Sequence, residues 1–337
     1  MIGWRQLLSP VGMWQVRRRD LISILGGAAA TWPITVRAQA ERVWRMGVLL
    51  FSAEDRLIIK PLLDELQALG YVDGKNFKIE YRDAEGNYDR LPELAAELVR
   101  LGPDVLFAYS GELAPVMKNA TATIPTVVVV SNDPVASGIV ASLARPGGNI
   151  TGLTFIYDQL AGKAIELLRE MVPSVSRVAV LWNPNHADPE FRETQRGARS
   201  LQIQLQSLEV REPRDFEEAF QAAAYERPEA LIVFGSRLMQ LHRQRIGDFV
   251  EKNKLILVGN PSWLSEIGGL LTYGANVADL MRRAASYVQK ILKGAKPADL
   301  PMQQPTTFEL VVNLKAARAF NISIPPQLVA RADEVIE

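Results

Sequence analysis

The sequence contains no cysteine and only two histidines, His186 and His242, in 337 residues. Without thiols there is no disulfide, no thiolate metal site, no cysteine nucleophile and no lipid-bearing cysteine. Neither histidine has a partner at the spacing a metal or a catalytic triad needs, and both read as solvated surface. An excess of one charge is also missing. The 38 lysines and arginines equal the 38 aspartates and glutamates, which argues against a nucleic-acid surface. No G-x-S-x-G and no Walker loop occurs, and the glycine-rich stretch Gly147 to Gly152 precedes a strand pattern instead of opening a helix, so no phosphate cradle is expected. Asp83, Glu85, Asp89 and Asp188 sit in loops or helix starts, where solvation or capping accounts for each. No cofactor, no metal and no catalytic residue are implied, and nothing demands an enzyme.

The amino-terminal stretch is of a different kind. Arg17-Arg18-Arg19-Asp20-Leu21-Ile22 leads into a short, moderately apolar run to Ala30, and Ala38-Gln39-Ala40 supplies a small-x-small cleavage pattern. Paired arginines before x-Leu-Ile resemble a twin-arginine export signal, which is read by a receptor and is not an anchor. A spanning helix needs about 18 uninterrupted apolar residues, and Gly26, Gly27, Thr31 and Pro33 interrupt this one. Residues 1–40 are therefore expected to be a signal peptide cleaved near Ala40, with Met1 or Met13 as the start. Its removal takes away Arg5, Arg17, Arg18, Arg19 and Arg37 against Asp20 alone, leaving a mildly acidic chain. With no lipid anchor, retention by the cell implies a periplasm.

From Arg45 onward, short β-branched runs alternate with helical periodicity. Strands are expected at 45–51, 77–82, 104–109 and 126–130, with helices at 57–69, near 91–98 and at 112–120, giving a doubly wound parallel sheet. After a crossing strand at 150–155 the pattern repeats, with strands at 178–182, 204–210, 230–234 and 255–259 separated by helices near 189–201, 214–226 and 238–251. The fold class is α/β, two parallel-sheet lobes of one construction. In the expected division, 41–152 plus 275–293 make the first lobe, 153–274 plus 300–322 the second, and 323–337 a C-terminal tail. The apolar stripe Leu280, Ala284, Val288 and Ile291 is expected to pack on the first lobe.

The stretch Ile124 to Tyr157 is the centre of this pattern. The apolar run Thr126–Val130 stops at Ser131-Asn132-Asp133-Pro134, where an Asp cap and a proline at the first helical position predict a helix start. Strand-end turns at the carboxyl edge of a parallel sheet are where ligands bind. That segment, SNDPVASGIVASLARPGGNITGLTF, together with LGYVDGKNFKIEYRDAEGNYDRLPELAAELV upstream and ILKGAKPADLPMQQPTTFELVVNLKAARAF downstream, resembles the solute-binding proteins of ABC importers. More narrowly it resembles the substrate-binding family that includes tryptophan and tyrosine receptors. The resemblance runs from about Arg45 to the C-terminus. It implies a type I periplasmic binding fold with three crossings between lobes forming a hinge.

Candidate ligand contacts lie in the strand-end turns: Ser52, Tyr109, Ser110, Asn132 and Asp133 on the first lobe, Asn183, Ser236, Asn260 and Trp263 on the second, and Tyr157 beside Phe155 on the crossing. Each also has a plainer reading. Asp133 is a cap or a partner for a ligand amine; Asn183 and Asn260, before prolines, are turn formers or ligand contacts. Trp263 fills the second core or the pocket, and Tyr157 and Phe155 pack the hinge or the ligand. Backbone N–H groups with the Ser52 or Ser110 hydroxyl would hold a carboxylate without a buried cation. The resemblance implies a receptor that closes over a small organic solute, an amino acid or related carboxylate, and delivers it to the transmembrane subunits of an ABC permease. A monomer is expected. A sensory receptor for a membrane signalling protein and a cleft enzyme remain as alternatives.

Overall fold

The computed structural model describes residues 42–155, 158–186 and 190–337, with the side chains of 158–161 left aside. The expected signal peptide and Tyr157 lie outside the described residues. The chain alternates strand and helix as its periodicity predicts. In the first half come β1 (Trp44–Leu50), α1 (Asp55–Ile58), α2 (Lys60–Ala68), β2 (Phe77–Asp83), α3 (Leu91–Arg100), β3 (Val105–Tyr109), α4 (Leu113–Ala120), β4 (Thr126–Val130) and β5 (Ile150–Thr154). These strands form one parallel sheet in the order β2-β1-β3-β4-β5.

Side chains alternate across that sheet. Met46, Val48 and Leu50 of β1 join one core with Leu62 and Leu66 of α2, whereas Leu49 and the adjoining Phe51 join the other with Leu91, Leu94 and Leu98 of α3. A sheet buried on both faces explains why these strands read as continuous apolar runs. Each fully buried leucine here contributes about 1.5–3 kcal/mol of transfer free energy. At Gly152 in β5 the backbone has φ of +145°, and a Cβ would lie 1.9 Å from the Val128 carbonyl oxygen, so only glycine lets β5 approach β4 this closely.

The second half repeats the construction with α5 (Asp158–Met171), β6 (Arg177–Trp182), α6 (Glu190–Ser200), β7 (Gln204–Glu209), α7 (Asp215–Glu226), β8 (Ala230–Val233), α8 (Arg237–Leu241), α9 (Arg243–Asn253), β9 (Ile256–Gly259) and β10 (Leu271–Ala275). The five strands run parallel in the order β7-β6-β8-β9-β10, the same arrangement as in the first sheet. Beyond β10 the sheet is extended by β11 (Phe308–Asn313), antiparallel to β10, and by β12 (Glu334–Ile336). The segment expected as a tail therefore supplies an edge strand. It also supplies Leu328 of α12 (Pro326–Ala330), which lies in the second lobe's core beside Ala316 and Ala317 of α11 (Leu314–Ala319).

The chain passes between the lobes three times, after β5, after β10 and between residue 303 and β11. The second passage leads into α10 (Val277–Leu292), capped by the Asn276 side chain, which accepts from the Asp279 N–H at 2.8 Å. Leu280, Ala284, Val288 and Ile291 of α10 are buried in the first lobe's core, as the stripe predicts. Before the third passage, Leu300 to Gln303 runs beside β5: Gln303 N–H donates to the Gly152 carbonyl at 3.0 Å and Thr154 N–H to the Gln303 carbonyl at 2.9 Å.

Three helical expectations differ from the structure, the first being the helix over 57–69, which is broken at Ile59 into α1 and α2. The helix predicted from Asp133 is a set of turns. Asp133 does cap them, its Oδ1 accepting from the N–H groups of Val135 and Ala136 at 2.8 and 3.1 Å. One helical bond forms, from Ser137 N–H to the Asp133 carbonyl, and then Gly138 takes φ of +69° and ends the turn. The helix expected over 238–251 is broken at His242 into α8 and α9. His242 is half-buried, its ring 5.1 Å from that of Phe216, instead of solvated.

Candidate functional site

Both sheets turn the carboxyl ends of β3, β4, β8 and β9 toward a cleft of about 550 Å³. Strand order explains the position. In each sheet the connections after two neighbouring strands, β1 and β3 or β6 and β8, run in opposite directions, and the loops there diverge and leave a crevice. The first lobe lines it with Glu54, Tyr109, Ser110, Glu112 and Ser131; the second with Ser236, Arg237, Arg243, Asn260 and Trp263; the passages with Phe155, Ala275 and Val277.

Arg237 is the principal bond across this seam. It opens α8, whose cap is Ser236, the side chain accepting from the Met239 N–H. Its guanidinium Nη1 meets Oδ1 of Asp55 at 2.7 Å, with side chains 2% and 1% exposed. Asp55 is fixed in turn from its own lobe, since Oδ2 accepts the N–H groups of Phe51 and Ser52 at 2.8 and 3.3 Å. The backbone N–H of Arg237 donates to Oε1 of Glu112 at 3.1 Å. The Nε and Nη2 of Arg237 are buried with no hydrogen-bond partner, and the rings of Phe51 and Tyr109 lie 5.3 and 5.7 Å from the guanidinium carbon. At the cleft rim, Arg243 Nη2 pairs with Glu54 Oε1 at 3.2 Å, again across the lobes.

These charges set one another's ionisation. Burial would raise the Glu112 carboxyl, but His186, the Ser110 hydroxyl that donates to it, and Arg237 together hold it below the usual carboxylate range. Burial likewise would neutralise Arg237, and the Asp55 and Glu112 carboxylates oppose that and keep it charged. The Tyr109 phenol is pushed up to about 12, chiefly by burial, and stays protonated. Ser110 sits at φ of 120°, outside the regions ordinary residues favour, at the point where β3 delivers Glu112.

Of the residues singled out in the sequence, Tyr109, Ser110, Ser236, Asn260 and Trp263 line the cleft, as does Phe155. Asn260 also holds its lobe together, with Oδ1 accepting from Gly235 N–H at 3.1 Å and Nδ2 donating to the buried Glu190. Ser52, Asn132, Asp133 and Asn183 are off the cavity wall. Asn132 is 6% exposed and packs against Gly111, Asp133 serves as the turn cap, and Asn183 Oδ1 accepts from Asn185 N–H at 2.9 Å. The last turn has an unexpected product: it presents His186, 5% exposed, whose Nε2 lies 3.0 Å from the Ser131 hydroxyl of the first lobe. His186 is thus part of the seam and not solvated surface.

Arg237, Asp55 and Glu112 were missed in the sequence. Each lies within three residues of a singled-out turn, Arg237 after Ser236, Glu112 after Ser110 and Asp55 after Ser52. Among the described residues no group of three or more His, Cys, Asp or Glu is placed to hold a metal.

A family model described as ABC transporter substrate binding protein matches residues 51–336. A tyrosine-binding protein of Clostridioides difficile is 23% identical over 266 residues, covering 78% of this chain and 76% of that protein. Among solved structures, a domain from Streptococcus pneumonia in complex with L-Trp superposes with a TM-score of 0.80 at 24% identity, covering 87% of this chain and 99% of that one. A conserved domain protein from Vibrio cholerae gives 0.79 at 28% identity, with 87% and 100% covered. A ligand-free, open substrate binding protein with adhesive properties from Clostridium difficile gives 0.66 at 21% identity, with 88% and 99% covered.

Proposed function

We propose, from the premise that the chain belongs to the ABC transporter substrate binding protein family, that it is a receptor that closes two lobes over a small organic solute and delivers it to an ABC permease. The observation that carries this reading is the cleft itself, whose walls come from both lobes and are bonded to each other through Arg237, Asp55, Glu112, Ser131 and His186. A ligand that touches both walls gains its full set of contacts only when the lobes meet, so its binding shifts the protein toward the closed form. Driving that balance from mostly open to mostly closed takes about 5.5 kcal/mol of differential affinity.

An α-amino acid is the first solute to consider. Support comes from the L-Trp bound by the Streptococcus domain and from the tyrosine-binding relative, and from a cleft that combines charged groups with the apolar faces of Tyr109, Phe155 and Trp263. The protein acts without chemical turnover, as a monomer exported to the periplasm; the twin-arginine-like stretch at Arg17 to Ile22 supports the export. A melting-temperature screen against the twenty amino acids, nucleosides, sugars and small acids tests the reading. At a ligand concentration about 100 times its Kd, a bound solute adds about 2.7 kcal/mol, and small-angle scattering of the same sample should report a more compact particle. Conversion of any screened compound to product would refute the receptor assignment.

A further inference from the structure

The guanidinium of Arg237 has two hydrogen-bonding edges, and only one is used. Nη1 donates to Asp55 Oδ1 at 2.7 Å and to Gln240 Oε1 at 3.2 Å. Nε and Nη2 form the other edge, two parallel N–H donors at the spacing of a carboxylate's two oxygens. They have no hydrogen-bond partner, although the residue is only 4% exposed and stands on the cleft wall. The nearby rings of Phe51 and Tyr109 offer π faces to the cation, at 5.3 and 5.7 Å, but no oxygen in the guanidinium plane. A charged, desolvated fork is costly to leave open, and its side-by-side donors fit a planar oxyanion far better than a hydroxyl, which can satisfy only one of them.

The surrounding charge limits how much anion the fork accepts. Asp55 already faces Arg237 through Nη1, and the Glu112 carboxylate lies against its backbone N–H. Of the two arginines on the cleft wall, Arg243 is already paired with Glu54 and Glu266, so a single carboxylate can use the open edge of Arg237, whereas a dicarboxylate or a phosphate would add a second negative charge with no unpaired arginine on the wall to face it. The unused donors belong to a side chain, which differs from the neutral backbone donors expected from the sequence.

Resting on the reading of the cleft as a solute site, we propose that the Nε–Nη2 edge of Arg237 receives the carboxylate of a monocarboxylate solute, and that it selects such solutes over neutral polyols and over diacids. Calorimetric titration of the mature chain with L-tyrosine, L-tryptophan, L-leucine and benzoate, each beside its carboxamide, and with L-glutamate, allitol and D-ribose, tests this. The acids should bind at least roughly 30-fold more tightly than their amides, the loss expected for a charge-assisted fork. Arg237→Lys, which keeps the charge but not the fork, should shrink that ratio severalfold. Asp133→Ala, which removes a turn cap off the cavity wall, should preserve it and guards against mistaking lost stability for lost recognition. Equal affinity for acid and amide, an acid-to-amide ratio unchanged in Arg237→Lys, or tight binding of allitol, D-ribose or L-glutamate would overturn the Arg237 assignment while leaving the receptor reading in place.

Discussion

In the first lobe the charged groups that reach the seam are Glu54, Asp55 and Glu112, all acidic; from the second come Arg237 and Arg243, with Glu266 near the latter at 3.7 Å. The two lobes share one strand order, yet they carry opposite charge to the surface where they meet. A shared scaffold therefore does not make the halves interchangeable. The opposed signs give closure an electrostatic component that two copies of either lobe would lack, because like charges would then face each other.

The contrast can be broken most severely at Asp55. Asp55→Ala removes the carboxylate that holds both the end of β1 and the buried arginine, leaving an unpaired cation in the interior. It should cost about 3–5 kcal/mol in urea unfolding, with scattering showing a more open particle at equal ligand. The next effect is smaller and depends on pH. Glu112 is held below its unfolded value, so its contribution is fully present above the ordinary carboxylate pKa of about 4.3 and is lost as pH falls through that range and below. Glu112→Gln should flatten the acid limb of the stability profile and lower the plateau above pH 6 by a constant amount without changing its slope; an unaltered acid limb would show that Glu112 does not couple the lobes. Arg243→Ala should do least. Its partners Glu54 and Glu266 are 55% and 64% exposed, and solvent-screened pairs of this kind are worth at most about 1 kcal/mol. A melting temperature within a few degrees of the parent, moving further toward it in added salt, is the expected result.

The alternation of strands and helices was legible because each element's periodicity is local. Val127 to Val130 are fully buried on both faces and read as an uninterrupted apolar run, and α10 carries its own stripe. The helix after Asp133 was misread because cap and proline announce a start, whereas Gly138 and the bond from the Ser137 hydroxyl to the Asp133 carbonyl decide how far the helix goes. The seam was the least legible part. Arg237 and Asp55 are separated by 182 positions, and His186 and Ser131 by 55; no local pattern links such partners. The strand-end turns mark the neighbourhood, since Arg237, Asp55 and Glu112 each lie within three residues of one, but nothing local separates these charged residues from the many solvated ones along the chain.

The strip from Leu300 to Gln303 that runs beside β5 has an effect outside the cleft. An open parallel sheet ends in a row of unpaired amides that invites a strand from another molecule. Here the returning chain occupies part of that row, through the paired bonds of Gly152 and Thr154 with Gln303. The connection that joins the halves thereby also guards the outer margin of the first sheet against self-association, so loosening it should first be noticed as a change in solubility, before any change in what the protein binds.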